Sequence, residues 1–171
     1  MELSASLRFH ITLARVAHGT AEFRFLNSSK PIIIGEGPDI DHFAEHQKLQ
    51  SKLFDSPSGG TPLCRHIREV LCEIKAIEPT LRSQGLKVCL VIATDGESTD
   101  GDVMDAMRPL VGLPVWVVIR LCTSDDRVVK YWNRIDSELE LDLDVLDDLR
   151  SEAAEVRYLP VNNLYLFQLL L

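Results

Sequence analysis

Two continuous apolar runs in the second half of the chain constrain the fold most. Val88–Ala93 reads Val-Cys-Leu-Val-Ile-Ala, and a second run at Val115–Leu121 follows Pro114. A strand that is apolar on both faces is typical of a parallel sheet, because crossover helices cover both sides of such a sheet. The two runs therefore predict two buried strands of an α/β domain.

The elements around these runs alternate between strand and helix. Apolar periodicity, Pro and Gly predict strands at Ala21–Leu26 and Pro31–Gly35, and a helix that begins at Pro62 and ends before Pro79. Shorter helical patterns are found at Leu3–Ala17, Asp39–Phe54 and Asp102–Leu110. This order predicts a doubly wound, mostly parallel sheet flanked by helices, in a Rossmann-like arrangement of three layers.

Length and composition set the class of protein. With 171 residues, 46% of them hydrophobic, the chain can form one globular domain without a disulfide or a structural metal. Its net charge of -8 is opposite to the basic surface that nucleic-acid binding requires. No apolar run is as long as a membrane span, and Met1–His10 lacks the pattern of a signal peptide. We therefore expect a cytoplasmic protein that binds neither nucleic acid nor membrane.

The cysteines do not indicate a metal or disulfide framework. None of them forms a Cys-x-x-Cys pair, and all lie in apolar stretches. We expect buried free thiols at all of these positions: Cys64, Cys72, Cys89 and Cys122.

Two short motifs fall where the ligands of parallel α/β sheets bind, beyond the carboxyl ends of strands. Thr94-Asp95-Gly96 follows the first apolar run, and Gly59-Gly60-Thr61 precedes the helix that begins at Pro62. On these elements and in this order, the motifs resemble those of the von Willebrand factor A domain, over roughly residues 3–121.

The resemblance implies a metal-ion-dependent adhesion site at the carboxyl ends of the strands. Thr61 matches the family's threonine ligand, and Asp95 matches the aspartate of its Thr-Asp-Gly loop. Such oxygen ligands suit Mg²⁺, which keeps several of its waters. The resemblance thus implies an interaction module whose metal binds an acidic side chain of a partner protein.

One part of the family's site is missing. Its Asp-x-Ser-x-Ser turn, which supplies the remaining side chains, occurs nowhere in the chain. A completed site would hold Mg²⁺, but with Thr61 and Asp95 alone we expect weak binding or none.

In the family this turn follows a central strand, which here would lie between the strands at Ala21 and Val88. We therefore interpret residues 1–171 as a single domain that is incomplete at its N-terminus, with residues 158–171 as a tail of undetermined role. An alternative is that the apolar segment Leu164–Leu171 fills or flanks the vacant position.

Other roles for the candidate ligands remain open. Thr61 could cap the helix that begins at Pro62, and Asp95 could cap the next helix. A magnesium-dependent hydrolase would use Asp95 as metal ligand or nucleophile, but it needs a second acidic loop, and Asp100 or Asp102 supplies only a local one. Because no nucleophile with a partnered base is visible, we expect a binding module and not an enzyme. A metal-free scaffold is the third possibility.

Three further patterns favour structural roles. His42-Phe43-Ala44-Glu45-His46 has the letters of an inverted zincin motif, but a surface helix explains them. Gly59-Gly60-Thr61 lacks the lysine of a phosphate-binding loop. The acidic stretch Asp136–Asp148 indicates a solvated face with Asp144 as a helix cap, packed on the sheet by Tyr131 and Trp132.

Overall fold

The computed structural model describes residues 20–28, 30–35, 44, 47–49, 51, 59–146 and 164–170. The strands in these segments are β1 (Thr20–Arg24), β2 (Ile32–Ile34), β3 (Lys87–Thr94), β4 (Val115–Leu121), β5 (Leu143–Leu146) and β6 (Leu164–Leu170). The helices are α1 (Leu63–Gln84), α2 (Val103–Met107), which continues into a 3-10 turn at Arg108–Leu110, and α3 (Asp126–Glu138).

The strands form one six-stranded sheet in the order β2-β1-β6-β3-β4-β5. Every neighbouring pair is parallel except β1 and β2, which pair antiparallel. Parallel neighbours require long crossovers, and α1 supplies the described part of the crossover that enters β3. The predicted α/β domain with a mostly parallel sheet and flanking helices is confirmed.

The centre of the sheet is occupied by the last strand of the chain. β6 pairs with β1 on one side and with β3 on the other, so that Phe167 is opposite both Ala21 and Cys89. The position that sequence analysis left vacant is thus filled by Leu164–Leu170, part of the segment interpreted as a tail. This arrangement agrees with the alternative in which Leu164–Leu171 fills the vacant position of the sheet.

The side chains of β3 alternate between two hydrophobic cores. Val88, Leu90 and Ile92 belong to a core with α1, α2 and α3, whereas Cys89 and Val91 belong to a second core on the opposite face. The second core also contains side chains from the β1–β2 hairpin and from the 47–49 segment: Ala21, Phe23, Ile32, Ile34 and Leu49. Because both faces are covered, the strand is apolar from Val88 to Ala93, as its sequence predicted.

Helix α1 is longer than its sequence predicted. It continues through Pro79 and ends at Gly85, whose positive φ of 65° closes the last turn. The predicted end before Pro79 is therefore wrong. Pro79 is exposed, and continuing past it places the fully buried Leu81 in the core, which offsets the backbone hydrogen bond that proline cannot make.

The acidic region after β4 also differs from the prediction. It begins within the last turn of α3, and α3 also carries Trp132, which is fully buried with its ring centroid 5.5 Å from that of Tyr131, so the predicted packing role of this pair is confirmed. Asp144 is not a helix cap. It lies in β5, and its Oδ2 accepts a 2.7 Å hydrogen bond from Trp116 Nε1 on the neighbouring strand.

The cysteines are all free, but they are not all buried. Cys64 and Cys89 are buried as predicted, and Cys122 is partly buried. Cys72 is exposed on α1, so its predicted burial is wrong. It lies between the apolar positions Leu71 and Ile74, which face the core.

Several predictions fall outside the described residues. They include the helix at Leu3–Ala17 and the histidines His42 and His46, although residues 44, 47–49 and 51 in the same segment are helical. In the segments that the structure describes, no helix has both the length and the apolarity to span a membrane.

Candidate functional site

The carboxyl ends of the parallel strands meet at one edge of the sheet. The segments that follow β1, β3 and β4 begin there, and β6 also ends at this edge, where Leu170 pairs with Arg24 and with Ile92. A hydrogen bond of 2.8 Å from Cys122 N to Thr94 O joins the ends of β3 and β4. Both sequence motifs flank this edge, which is the part of a parallel sheet that binds ligands.

The Gly59-Gly60-Thr61 segment is held against the loop that follows β3. Thr61 N donates to Thr99 Oγ1 at 2.8 Å, and Thr99 N donates back to Thr61 O at 2.9 Å. A Cβ atom on Gly60 would lie 2.6 Å from Thr99 Oγ1, so a larger residue there would have to displace the Thr99 hydroxyl. The structure therefore joins the Gly59-Gly60-Thr61 segment to Thr99, four residues after Asp95 in the same loop.

The first turn of α1 is capped from this loop and not by Thr61. The N-cap position is Pro62, which supplies no side-chain cap. Asp100 takes this role, because its Oδ1 accepts from Cys64 N at 2.9 Å and its Oδ2 accepts from Arg65 N at 2.8 Å. These are the N–H groups that an N-cap side chain normally satisfies. The Thr61 hydroxyl makes no hydrogen bond within the described residues, so its capping role is not observed.

Asp100 is an ionised structural carboxylate. Burial alone raises its pKa, but hydrogen bonds from Ser98 Oγ and from the two backbone N–H groups outweigh burial and lower the pKa of Asp100. Ser98 Oγ lies 2.6 Å from Asp100 Oδ1 and in turn accepts from Cys64 Sγ at 3.3 Å. Burial raises the pKa of the Cys64 thiol, which keeps this donor protonated.

Asp95 differs from Asp100 in its hydrogen bonding, although both residues are exposed. Asp95 makes no hydrogen bond or ion pair with the described part of the chain. It is not the cap of the following helix, because Asp102 holds that position and accepts from Asp105 N at 3.2 Å. The structural role proposed for Asp95 as a helix cap is therefore wrong.

The backbone next to Asp95 is nevertheless fixed. Gly96 N donates to Thr94 Oγ1 at 3.3 Å, and Gly96 O accepts from the indole Nε1 of the buried Trp132 at 3.2 Å. Trp132 lies on α3, which packs on the same face of the sheet as α1.

The residues at this edge fit a magnesium site only in part. A threonine hydroxyl and a carboxylate are the hard oxygen donors that Mg²⁺ prefers. Asp100 is committed to capping α1 and Asp102 to capping α2, so neither provides the second free carboxylate that a hydrolase would need. Among the described residues, no three His, Cys, Asp or Glu side chains are grouped as a metal site.

A second cluster of polar groups, which sequence analysis missed, lies beside this edge at the end of β1. The buried Arg24 guanidinium pairs with Glu22 on its own strand and with Glu69 and Glu73 on α1. Burial raises the pKa of Glu22, and a further contribution comes from Glu73. The signal was present in the alternation of Glu22 and Arg24 and in the one-turn spacing of Glu69 and Glu73, but nothing local indicated that the two pairs meet.

His66 joins this cluster to the end of β1. Its ring is buried, with Nε2 3.0 Å from Leu26 O and Nδ1 3.3 Å from Glu69 Oε2. Arg65 Nη2 lies 3.4 Å from the same carbonyl. The cluster thus fixes the segment that follows β1 on the first turns of α1.

Comparison with known proteins gives no relative for this arrangement: neither a family model, nor a curated protein, nor a solved structure matches the chain.

Proposed function

We propose that this chain is a von Willebrand factor A-like interaction module, which binds an acidic group of a partner protein at the carboxyl edge of its sheet. The order of the strands supports the proposal. β6 lies between β1 and β3, where the family has the central strand that leads into its metal site. Asp95 follows β3, which pairs with β6, and Thr61 is hydrogen-bonded to Thr99 of the same loop.

The observation that carries the proposal is the contrast between the carboxylates of one loop. Asp100 and Asp102 cap helices, whereas Asp95 and Glu97 are exposed and make no hydrogen bond or ion pair within the described residues. Of these two, Asp95 is the one that matches the aspartate of the family's Thr-Asp-Gly loop. An exposed carboxylate costs the fold nothing when it binds a ligand, because no internal hydrogen bond has to break.

Thr61 and Asp95 would hold the metal, with water at its remaining positions. Bound Mg²⁺ would supply a positive charge that attracts a carboxylate. Two protein ligands make this binding weak, so a partner carboxylate that completes the coordination would bind together with the metal. The chain's net charge of -8 favours cations and disfavours acidic partners, which makes the metal necessary for this interaction.

Paramagnetic Mn²⁺ tests the metal site directly. Added to ¹⁵N-labelled protein, it broadens the amide signals of nearby residues. We expect broadening at Gly60, Thr61 and Gly96 in the wild type, and its loss in Asp95→Ala. Glu97→Gln is the matched control, because it removes an exposed carboxylate of the same loop and should leave the broadening unchanged.

The partner chemistry is tested with a short peptide that carries one glutamate and with its glutamine counterpart. The glutamate peptide should shift the signals of this edge only when Mg²⁺ is present. In the Mn²⁺ experiment, broadening of the amide signals that persists in Asp95→Ala would contradict the assignment of Asp95 as a metal ligand. If Mn²⁺ causes no broadening in the folded wild type, the result would instead favour a metal-free scaffold.

A further inference from the structure

A cavity of about 500 Å³ lies between the segment that follows β1 and the first turns of α1. Its volume falls in the range of small-molecule sites. It is next to Pro62 and therefore beside the proposed metal site, but it contains neither Thr61 nor Asp95. Its position beyond the carboxyl end of a parallel strand is where α/β sheets bind ligands.

Arg24 forms part of the cavity wall but is not available to a ligand as a free charge. Its Nε lies 2.5 Å from Glu22 Oε1, its Nη1 lies 3.1 Å from Glu69 Oε2, and its Nη2 pairs with Glu73. The guanidinium is thus compensated by carboxylates within the protein. It holds β1 and α1 together and gives the cavity a fixed wall.

The charges that remain for a ligand are positive. Lys30 is exposed and has no ion pair with the described residues. Arg65 has a long ion pair with Glu69 at 3.8 Å, and its Nη2 donates to Leu26 O at 3.4 Å, but its guanidinium is exposed and its Nη1 is left for a ligand. Glu69 is the one carboxylate among the lining residues that the structure describes. Besides Arg24, the lining thus has two cations against one carboxylate in a chain with a net charge of -8, and this local excess of positive charge favours an anionic ligand.

The rest of the lining is polar and suits hydroxyl groups. Asn27 and Ser28 contribute an amide and a hydroxyl, and the apolar contribution comes from Leu26, Pro31 and Pro62. An arginine fork and a lysine ammonium are the side chains that most often bind phosphate oxygens. The ligand indicated by this lining carries a phosphate at one end and polar groups at the other.

We propose that this cavity binds a small phosphorylated polyol or sugar, with its phosphate on Lys30 and Arg65 and its hydroxyl groups on Asn27, Ser28 and Glu69. The site is separate from the proposed cation site. It does not depend on the von Willebrand factor A interpretation, and either proposal can fail while the other holds.

Titration of ¹⁵N-labelled protein tests the site with four probes at constant ionic strength: glycerol 3-phosphate, glucose 6-phosphate, glucose and inorganic phosphate. We expect at least one phosphate ester to bind with a dissociation constant tighter than about 10 mM. It should shift the amide signals of Asn27, Ser28 and Arg65. Glucose, which lacks the anion, should not bind, and inorganic phosphate should bind more weakly because it contacts only the cations.

Two variants and their controls locate the phosphate. Lys30→Gln and Arg65→Gln should each weaken the binding about tenfold, because each removes a charge-assisted hydrogen bond. Lys75→Gln and Arg68→Gln remove exposed cations of α1 that do not line the cavity, so they should change the dissociation constant of the ester by less than about twofold. Asp95→Asn should also leave this dissociation constant unchanged.

Three results would overturn the proposal. The first is that neither ester binds to the folded wild type in this range. The second is that inorganic phosphate binds as tightly as the esters, which would mean that the cavity does not recognise the organic part. The third is that the control variants weaken the binding as much as Lys30→Gln and Arg65→Gln, which would indicate a general effect of charge.

Discussion

The loop between β3 and α2 has two halves that differ in what they contact. In the half formed by residues 98–100, Ser98, Thr99 and Asp100 all bind the segment that leads into α1 or the first turn of that helix. In the half formed by residues 95–97, the backbone is held at Gly96, but the Asp95 carboxylate is exposed and uncommitted within the described residues.

This difference separates two roles that one residue type can have. Asp100 satisfies backbone donors, so its contribution is to the stability of the domain. Asp95 contributes no such contact, yet it lies on a fixed backbone at the edge of the sheet where ligands bind. Residues 98–100 therefore join the loop to α1, whereas the backbone of residues 95–97 is held separately by Thr94 and Trp132.

The largest effect on stability is expected from Asp100→Ala. The variant removes the acceptor of two backbone N–H groups and of the Ser98 hydroxyl, which should lower the free energy of unfolding by about 2 kcal/mol. Urea denaturation measures this loss. Glu97→Ala, in the other half of the loop, is the control and should change the stability by less than about 0.5 kcal/mol. Equal losses of unfolding free energy in the two variants would contradict the proposed difference between the two halves of the loop.

A smaller effect is expected from Gly60→Ala. The added Cβ would lie 2.6 Å from Thr99 Oγ1, so the hydroxyl must rotate away and give up its bond to Thr61 N, at a cost of about 1 kcal/mol. Thr99→Ala removes the hydroxyl that the added Cβ would contact, so in this background Gly60→Ala should lower the free energy of unfolding much less. A double-mutant cycle from urea denaturation measures this coupling. Additive effects would mean that this contact does not join the segments.

The pH dependence of stability should report Asp100. Because its pKa in the folded protein is lower than the unfolded value near 4, its contribution is complete above about pH 4 and is lost as the pH falls through the folded-state value. Asp100→Asn does not titrate, so the difference in unfolding free energy between wild type and variant should narrow below pH 4. Urea denaturation of both proteins at pH 6, 4 and 3 measures how this difference changes with pH. A difference that stays constant would contradict the assignment.

The smallest effect on stability is expected from Asp95→Ala. With no internal hydrogen bond to lose among the described residues, the unfolding free energy should change by less than about 0.5 kcal/mol. The melting temperature and the urea midpoint both measure this change. A loss as large as that of Asp100→Ala would show that Asp95 is structural after all.

The fold was predictable where the sequence pattern was local. The apolar runs gave β3 and β4 within a residue or so, because a strand buried on both faces needs no information from elsewhere in the chain. The position of β6 was not predictable in this way, since an apolar segment is compatible with any strand position in a parallel sheet. Its place follows from pairing with β1 and β3, which are far from it in sequence.

The candidate site shows the same limit. The Thr61 and Asp95 loops were found from short motifs, and the structure joins the Thr61 segment to Thr99 in the loop that contains Asp95. The capping role of Asp100 was missed because it joins residues 35 and 36 positions apart, whereas sequence rules seek a cap next to the helix. The Arg24 cluster was missed for the same reason, because its carboxylates come from two different elements.

The most direct test of the account is a magnesium-dependent denaturation experiment on Asp95→Ala, Asp100→Ala and the wild type. A ligand that binds only the folded state raises its stability, by about 1.4 kcal/mol when its concentration is ten times the dissociation constant. We predict that Asp95→Ala keeps the stability measured without metal and loses the Mg²⁺-dependent gain, whereas Asp100→Ala loses stability without metal. A Mg²⁺-dependent gain that survives in Asp95→Ala, or is absent from the wild type, would contradict the division of roles within this loop.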